Sequence, residues 1–180
     1  TLEGNLISGN SNHGIEMFGV GTTDNTIAGN IIGLDASGSL VLPNGDHGMM
    51  LANNADLNRV GTDGNGISDS AERNIISGNS GCGIYIDGNQ NRVSGNYIGL
   101  NASGTAAIGN QNYGICIYNG LSNTIGANGD AVGDSWEGNF ISGNMNGGVI
   151  IGTTGEASVA NGLYGNWIGT SGSGTAAIGN

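Results

Sequence analysis

Asn74-Ile75-Ile76-Ser77-Gly78-Asn79, then Gly83-Ile84-Tyr85-Ile86, then Asn91-Arg92-Val93, decides how this chain folds. Three short apolar segments, each opened by Asn or Gly, fit into the 22 residues from Asn74 to Gly95. Their apolar residues alternate instead of recurring at helical spacing, which reads as strands separated by tight corners.

Working outward, the same triplet recurs along the whole chain. The first series is Asn5-Leu6-Ile7, Asn30-Ile31-Ile32, Asn74-Ile75-Ile76, Asn96-Tyr97-Ile98, Asn139-Phe140-Ile141 and Asn166-Trp167-Ile168. We call it series A. Series B is Gly14-Ile15-Glu16-Met17, Gly48-Met49-Met50-Leu51, Gly83-Ile84-Tyr85-Ile86, Gly114-Ile115-Cys116-Ile117 and Gly148-Val149-Ile150-Ile151. Series C is Asn25-Thr26-Ile27, Asn58-Arg59-Val60, Asn91-Arg92-Val93, Asn123-Thr124-Ile125 and Asn161-Gly162-Leu163. The order is always A, B, C. From A to B the steps are 9, 18, 9, 18 and 9 residues, and from C to the next A they are 5, 16, 5, 16 and 5. Short turns therefore alternate with turns that carry insertions. Such internal repetition is the mark of a solenoid.

Three strands per turn in constant register predict an all-β parallel β-helix of about five turns, each pairing with the next at about 4.8 Å. Residues 1–180 read as one domain, expected to be a segment of a longer solenoid. The inward ladders are Ile7, Ile32, Ile76, Ile98, Ile141 and Ile168 on A; Ile15, Met49, Ile84, Ile115 and Val149 with Met17, Leu51, Ile86, Ile117 and Ile151 on B; and Ile27, Val60, Val93, Ile125 and Leu163 on C. The Asn that opens each A and C strand is expected to stack on its equivalents and satisfy the corner backbone.

Composition agrees with this reading. The 180 residues include 38 Gly, 27 Asn, one Pro and no Lys. Gly and Asn tolerate the left-handed backbone that corners demand. Near-absence of Pro, with no Gly-X-Y period, excludes collagen. The net charge of −11 excludes phosphate-backbone binding to nucleic acid. No apolar run is long enough to span a membrane. No signal-peptide pattern opens the sequence, so any targeting segment is expected outside it.

Gly95-Asn96-Tyr97-Ile98-Gly99-Leu100-Asn101-Ala102-Ser103-Gly104-Thr105-Ala106-Ala107-Ile108-Gly109-Asn110, with its echo at 165–180, resembles the repeats of large secreted bacterial right-handed parallel β-helix proteins. The resemblance covers essentially the whole chain. It implies a right-handed solenoid of pectin-lyase-like type in an extracellular or cell-surface setting. That fold also hosts polysaccharide lyases, hydrolases, epimerases, tailspikes and adhesin stalks, so fold alone assigns no activity.

Outward residues decide function on a solenoid. On B they are Glu16, Met50, Tyr85, Cys116 and Ile150, with no carboxylate pair for glycoside hydrolysis. On C, Arg59 and Arg92 stack on neighbouring turns, where like charges repel unless neutralised. They are a candidate clamp for a sugar carboxylate or sulfate, but acids such as Asp24, Asp56 or Asp87 are expected to pair with them. On A, Tyr97, Phe140 and Trp167 extend an apolar row with Leu6, Ile31 and Ile75. This row is either a sugar-stacking groove or is covered by the insertions Leu34 to Asn44, Leu100 to Asn110 and Thr170 to Asn180. The apolar centres Leu40-Val41-Leu42 and Ala106-Ala107-Ile108 would supply that cover.

The C-to-A insertions are acidic. Asp63, Asn65 and Asp69, with Asp130 and Asp134 one period later, offer oxygen ligands to calcium but lack the EF-hand pattern. Asp and Asn with Gly are also the usual residues of turns, and turn chemistry is the preferred account of them. No cofactor is required. His13 and His47 each precede a B-strand Gly and should stack, but lack a third ligand. Cys82 and Cys116 are offset by three residues, which argues for two free thiols.

The expected function is therefore a non-catalytic structural or adhesive segment of an exported bacterial protein, with polysaccharide or neighbouring solenoid segments as partners. A polysaccharide-active enzyme (lyase, hydrolase or epimerase) and an end-to-end self-assembling filament or surface-layer unit are the alternatives.

Overall fold

The computed structural model describes residues 4–152 and 157–180. Its strands form three parallel sheets, and in each the spatial order follows the sequence order. Sheet A stacks Leu6–Ile7, Ile31–Ile32, Ile75–Ile76, Tyr97–Ile98, Phe140–Ile141 and Trp167–Ile168. Sheet B stacks Ile15–Phe18, Met49–Ala52, Ile84–Ile86, Tyr113–Ile117 and Gly147–Ile151. Sheet C stacks Thr26–Ile27, Arg59–Gly61, Arg92–Ser94, Thr124–Gly126 and Gly162–Tyr164. One strand from each sheet makes a rung, and the protein is a parallel β-helix. Six strands in sheet A and five in each of the others mean that B and C rise through four steps, about 19 Å at one strand spacing per step.

Register is as the repeats require: Ile7 opposes Ile32, Met49 opposes Ile84, and Arg59 opposes Arg92. Like therefore stacks on like. Ile32, Ile76, Ile98 and Ile141 from sheet A meet Met49, Ile84, Ile86 and Ile115 from B and Val60, Val93 and Ile125 from C in one continuous core, all fully buried. A single turn cannot close such a core, so each rung is stabilised by its neighbours.

The corners are held by asparagine. In sheet A's ladder, the Asn74 backbone N–H and Nδ2 both donate to Asn96 Oδ1, at 3.2 and 2.9 Å. Asn96 does the same to Asn139, at 3.0 Å each. Its Nδ2 also donates to Val60 O and Ser94 O, at 3.0 and 3.1 Å. The sheet C ladder runs Asn25, Asn58, Asn91, Asn123, Asn161 through backbone N–H to Oδ1 bonds. A third ladder, which the sequence reading did not identify, runs Asn10, Asn44, Asn79, Asn110, Asn144, Asn180. Its signal was present: three of these close Ser-Gly-Asn and the others close each A-to-B insertion.

That third ladder explains why short and long turns alternate. Each insertion leaves sheet A at a Gly and returns to the same corner. Gly99 (φ +88°) requires the left-handed backbone, and a Cβ there would press on Ser142 O. In the short turns a Ser takes the place of the insertion. Ser77 Oγ donates to Leu100 O at 2.7 Å and accepts from Gly99 N–H at 3.0 Å, and so clasps the insertion of the next rung. The insertions are small antiparallel excursions bridged by Leu34–Val41, Leu100–Ala107 and Thr170–Ala177.

Two local features differ from the sequence expectation. The acidic insertions contain one-turn helices, α1 (Asp69–Glu72) and α2 (Asp134–Glu137), where only turns were expected. Cys82 and Cys116 form a disulfide with Cα atoms 6.3 Å apart, and are not the two free thiols expected. The offset of three residues was correct but its consequence was not. The chain bends at Gly83, ahead of Ile84–Ile86, so the preceding Cys82 side chain reaches the outer face of the next rung at Cys116. His47 stacks on Tyr85 at 4.9 Å with the same offset. The separation lies within the range a disulfide spans.

Candidate functional site

The middle of the apolar row of sheet A, from Ile31 to Phe140, is packed against the protein's own insertions, while Leu6 and Trp167 at its ends stay half exposed. Leu34 and Leu100, the first residues of two insertions, are fully buried against Ile75 and Tyr97, with Ile31, Ile108, Phe140 and Ile178 packed around them. The cover comes from these positions and not from Leu40-Val41-Leu42, which are 67%, 57% and 45% exposed. Of the three aromatic candidates, Tyr97 is buried, Phe140 is half-buried and Trp167 is 46% exposed. Phe140 meets Tyr97 edge-on at 5.3 Å and stacks on Trp167 at 5.7 Å. Arg73, which sequence reasoning did not place here, lies 4.0 Å over the Tyr97 ring and donates from Nε to Gly95 O at 2.9 Å. Burial lowers its pKa from the ordinary arginine value. Position 73 directly follows α1, and that placement depends on the helix.

Arg59 and Arg92 oppose each other in the sheet C ladder. Each is neutralised, though not by Asp24, Asp56 or Asp87. Arg59 Nη1 lies 3.3 Å from Glu72 Oε2, and Arg92 pairs with Glu137. The two glutamates are the last residues of α1 and α2, and Glu137 is wholly buried. Both also accept from their own loops, Glu72 from Asp63 N–H at 2.8 Å and Glu137 from Asn128 N–H at 2.7 Å. The insertions thus fold back to place one carboxylate against each stacked guanidinium. The sequence signal is the repeat of Asp-Ser-x-Glu at 69–72 and 134–137.

Of the candidate calcium ligands, Asp63 and Asp69 cluster with Glu72, and Asp130 and Asp134 cluster with Glu137 in the corresponding loop, while Asn65 is in neither group. Several of their oxygens already accept hydrogen bonds from their own loops. Asp63 Oδ1 accepts from Asn65 N–H at 3.0 Å, and Asn65 Oδ1 accepts from Ile67 N–H at 2.7 Å. Asp69 accepts from Thr62 Oγ1 at 2.7 Å and Gly66 N–H at 3.0 Å. Asp130 accepts from Val132 N–H at 2.8 Å, and that bond with one from Asn128 lowers its pKa. Asp134 Oδ1 is the exception, buried with no partner. Thr62, which serves its counterpart Asp69, is replaced by Ala127.

No helix among the described residues is long and apolar enough to cross a membrane. No family model, no curated protein and no solved structure matches the sequence.

Proposed function

We propose that this chain is a non-catalytic structural segment of an exported bacterial protein, a solenoid rod whose surface groups serve its own architecture. One observation carries the reading. The side chains a substrate would need are engaged internally, with Arg59 on Glu72, Arg92 on Glu137, and Tyr97 beneath Leu34 and Leu100. The Cys82–Cys116 disulfide supports an oxidising, extracellular or cell-surface setting, as does the resemblance to secreted β-helix repeats. A rod of this kind serves as a stalk or spacer, with neighbouring solenoid segments as its natural partners.

The test is incubation with a panel of acidic and neutral polysaccharides, reading reducing ends and the absorbance of unsaturated products. No turnover is expected. Turnover that disappears on Arg92→Ala would overturn the reading in favour of a carbohydrate-active enzyme.

One observation favours an additional adhesive role. Trp167 keeps an exposed face while stacked on Phe140, an arrangement suited to a sugar ring. Titration of tryptophan fluorescence with oligosaccharides tests this. A saturable change lost in Trp167→Ala supports docking, and an unresponsive spectrum contradicts it.

A further inference from the structure

The corner before sheet B gathers three metal-ligating side chains away from the surfaces described above. His13 and His47 occupy equivalent positions on neighbouring rungs, and their rings stack at 5.2 Å with an interplanar angle of 8°. The third ligand that their sequence lacked is Asp46. Its Oδ2 lies 3.9 Å from His13 Nδ1, and its Oδ1 lies 3.4 Å from His47 Nδ1. One ligand atom from each residue lies within 4.8 Å of the other two.

A second observation points to a ligand. The His13 side chain is only 10% exposed, and its Nδ1 is buried without a hydrogen-bond partner while it faces the Asp46 carboxylate. Buried polar atoms are normally satisfied, and one that is not calls for an explanation. The backbone around the cluster is fixed. Asp46 N–H donates to Asn12 O at 3.2 Å, and Asp46 O accepts from Gly81 N–H at 2.9 Å, so the segment is pinned to the rungs on both sides. Gly81 also keeps the space clear, since a Cβ there would press on Asp46 Oδ1 and His47 Nδ1. Tyr85 stacks on His47 at 4.9 Å and steadies its ring.

We propose that His13, Asp46 and His47 form a binding site for a divalent transition-metal ion of the zinc class. Two imidazoles and one carboxylate suit zinc, cobalt or nickel, whereas calcium takes oxygen ligands alone. In a tetrahedral zinc shell, bonds of about 2.0 Å put neighbouring ligand atoms about 3.3 Å apart. His47 Nδ1 is close to that separation from Asp46 Oδ1, at 3.4 Å, whereas His13 Nδ1 lies 3.9 Å from the other carboxylate oxygen, so the cluster must contract around the ion. Cys82 N–H donates to His47 Nδ1 at 3.0 Å. A metal bond at that atom replaces this hydrogen bond, so the affinity is modest. Asp46 is 45% exposed, which leaves the outer side of the ion open to water. The ion would tie the first two rungs of sheet B together, as the disulfide ties the third and fourth.

The test uses the oxidised, metal-stripped protein, because free thiols would themselves bind zinc. Calorimetric titration with zinc chloride is expected to show one ion per chain, and cobalt(II) is expected to develop the visible bands of a tetrahedral site. Asp46→Asn and His13→Gln should each weaken zinc binding at least about tenfold, while Asp24→Asn, at an exposed position outside the cluster, leaves it unchanged. Asp46→Asn preserves shape at a half-exposed position, and its melting curve verifies the fold. Absence of zinc binding by the native protein overturns the proposal. Affinity retained in both His13→Gln and Asp46→Asn overturns it as well.

Discussion

The guanidinium of Arg92 pairs with the wholly buried carboxylate of Glu137, 45 residues further along the chain. Removing one member of a buried pair strands the other, at about 3–5 kcal/mol. Glu137→Ala also strips Asn128 N–H of its acceptor. It should therefore lower the melting temperature by roughly 10 °C in a domain of this size. Glu72→Ala should cost less, about 1–2 kcal/mol, because Arg59 and Glu72 are 25% and 12% exposed. Thermal melts of the two variants check the ranking.

The disulfide links residues 34 apart. Closing a loop of that length restricts the unfolded chain by about 3–4 kcal/mol. The double variant Cys82→Ser, Cys116→Ser is expected to fold with lower stability by about that amount. Denaturant titration of the oxidised protein and the variant measures the difference directly.

Asp134 Oδ1 has no partner because Ala127 stands where Thr62 stands one period earlier. Ala127→Thr should supply the missing donor and raise stability by about 1 kcal/mol. The reverse change, Thr62→Ala, strands Asp69 Oδ1 and should cost about 1–3 kcal/mol. Opposite shifts in the two melting temperatures verify the equivalence of the two loops.

Asp35 Oδ1 accepts from Ser39 N–H and Leu40 N–H at 3.0 Å each, and Asn101 does the same for Thr105 and Ala106 at 2.8 and 3.1 Å. The Leu40 bond, followed by those from Ser39 and Ser37, lowers the Asp35 pKa below its ordinary 3.8. A depressed carboxylate contributes stability above its unfolded value and loses it as pH falls through the folded one. Asp35→Asn should keep the turn, as Asn101 does, and remove its acid sensitivity below about pH 4. Amide exchange across residues 37–42 in acid, native against variant, reads this out.

How much of this was legible in the sequence depends on the range of each interaction. Strand order, register and the core ladders followed from the fixed spacing of the Asn-x-Ile and Gly-Ile motifs, because a stacked rung repeats its neighbour. Two asparagine ladders were read from the same spacing. The third was missed because Asn44, Asn110 and Asn180 sit at the far end of insertions and so at no fixed distance from Asn10, Asn79 and Asn144. The partners of Arg59 and Arg92 were misassigned because proximity in sequence pointed to aspartates, whereas α1 and α2 swing Glu72 and Glu137 inward. The disulfide was missed because register was carried past Gly83 as though the strand ran straight. Asp46 escaped notice for the same reason, as a corner residue whose direction no period predicts.

The account rests on side-chain ladders that hold the rungs together, and native-state hydrogen exchange at the Asn74, Asn96 and Asn139 amides tests it most directly. Each of these N–H groups donates to an asparagine Oδ1 on the next rung, at 3.2, 3.0 and 3.1 Å. They are predicted to exchange as slowly as the sheet amides of Ile76 and Ile98, through global unfolding alone, and Asn96→Ala is predicted to release the Asn74 amide. Exchange at these three amides as fast as at the exposed insertion tips near Ser37 and Ser103 would contradict the account.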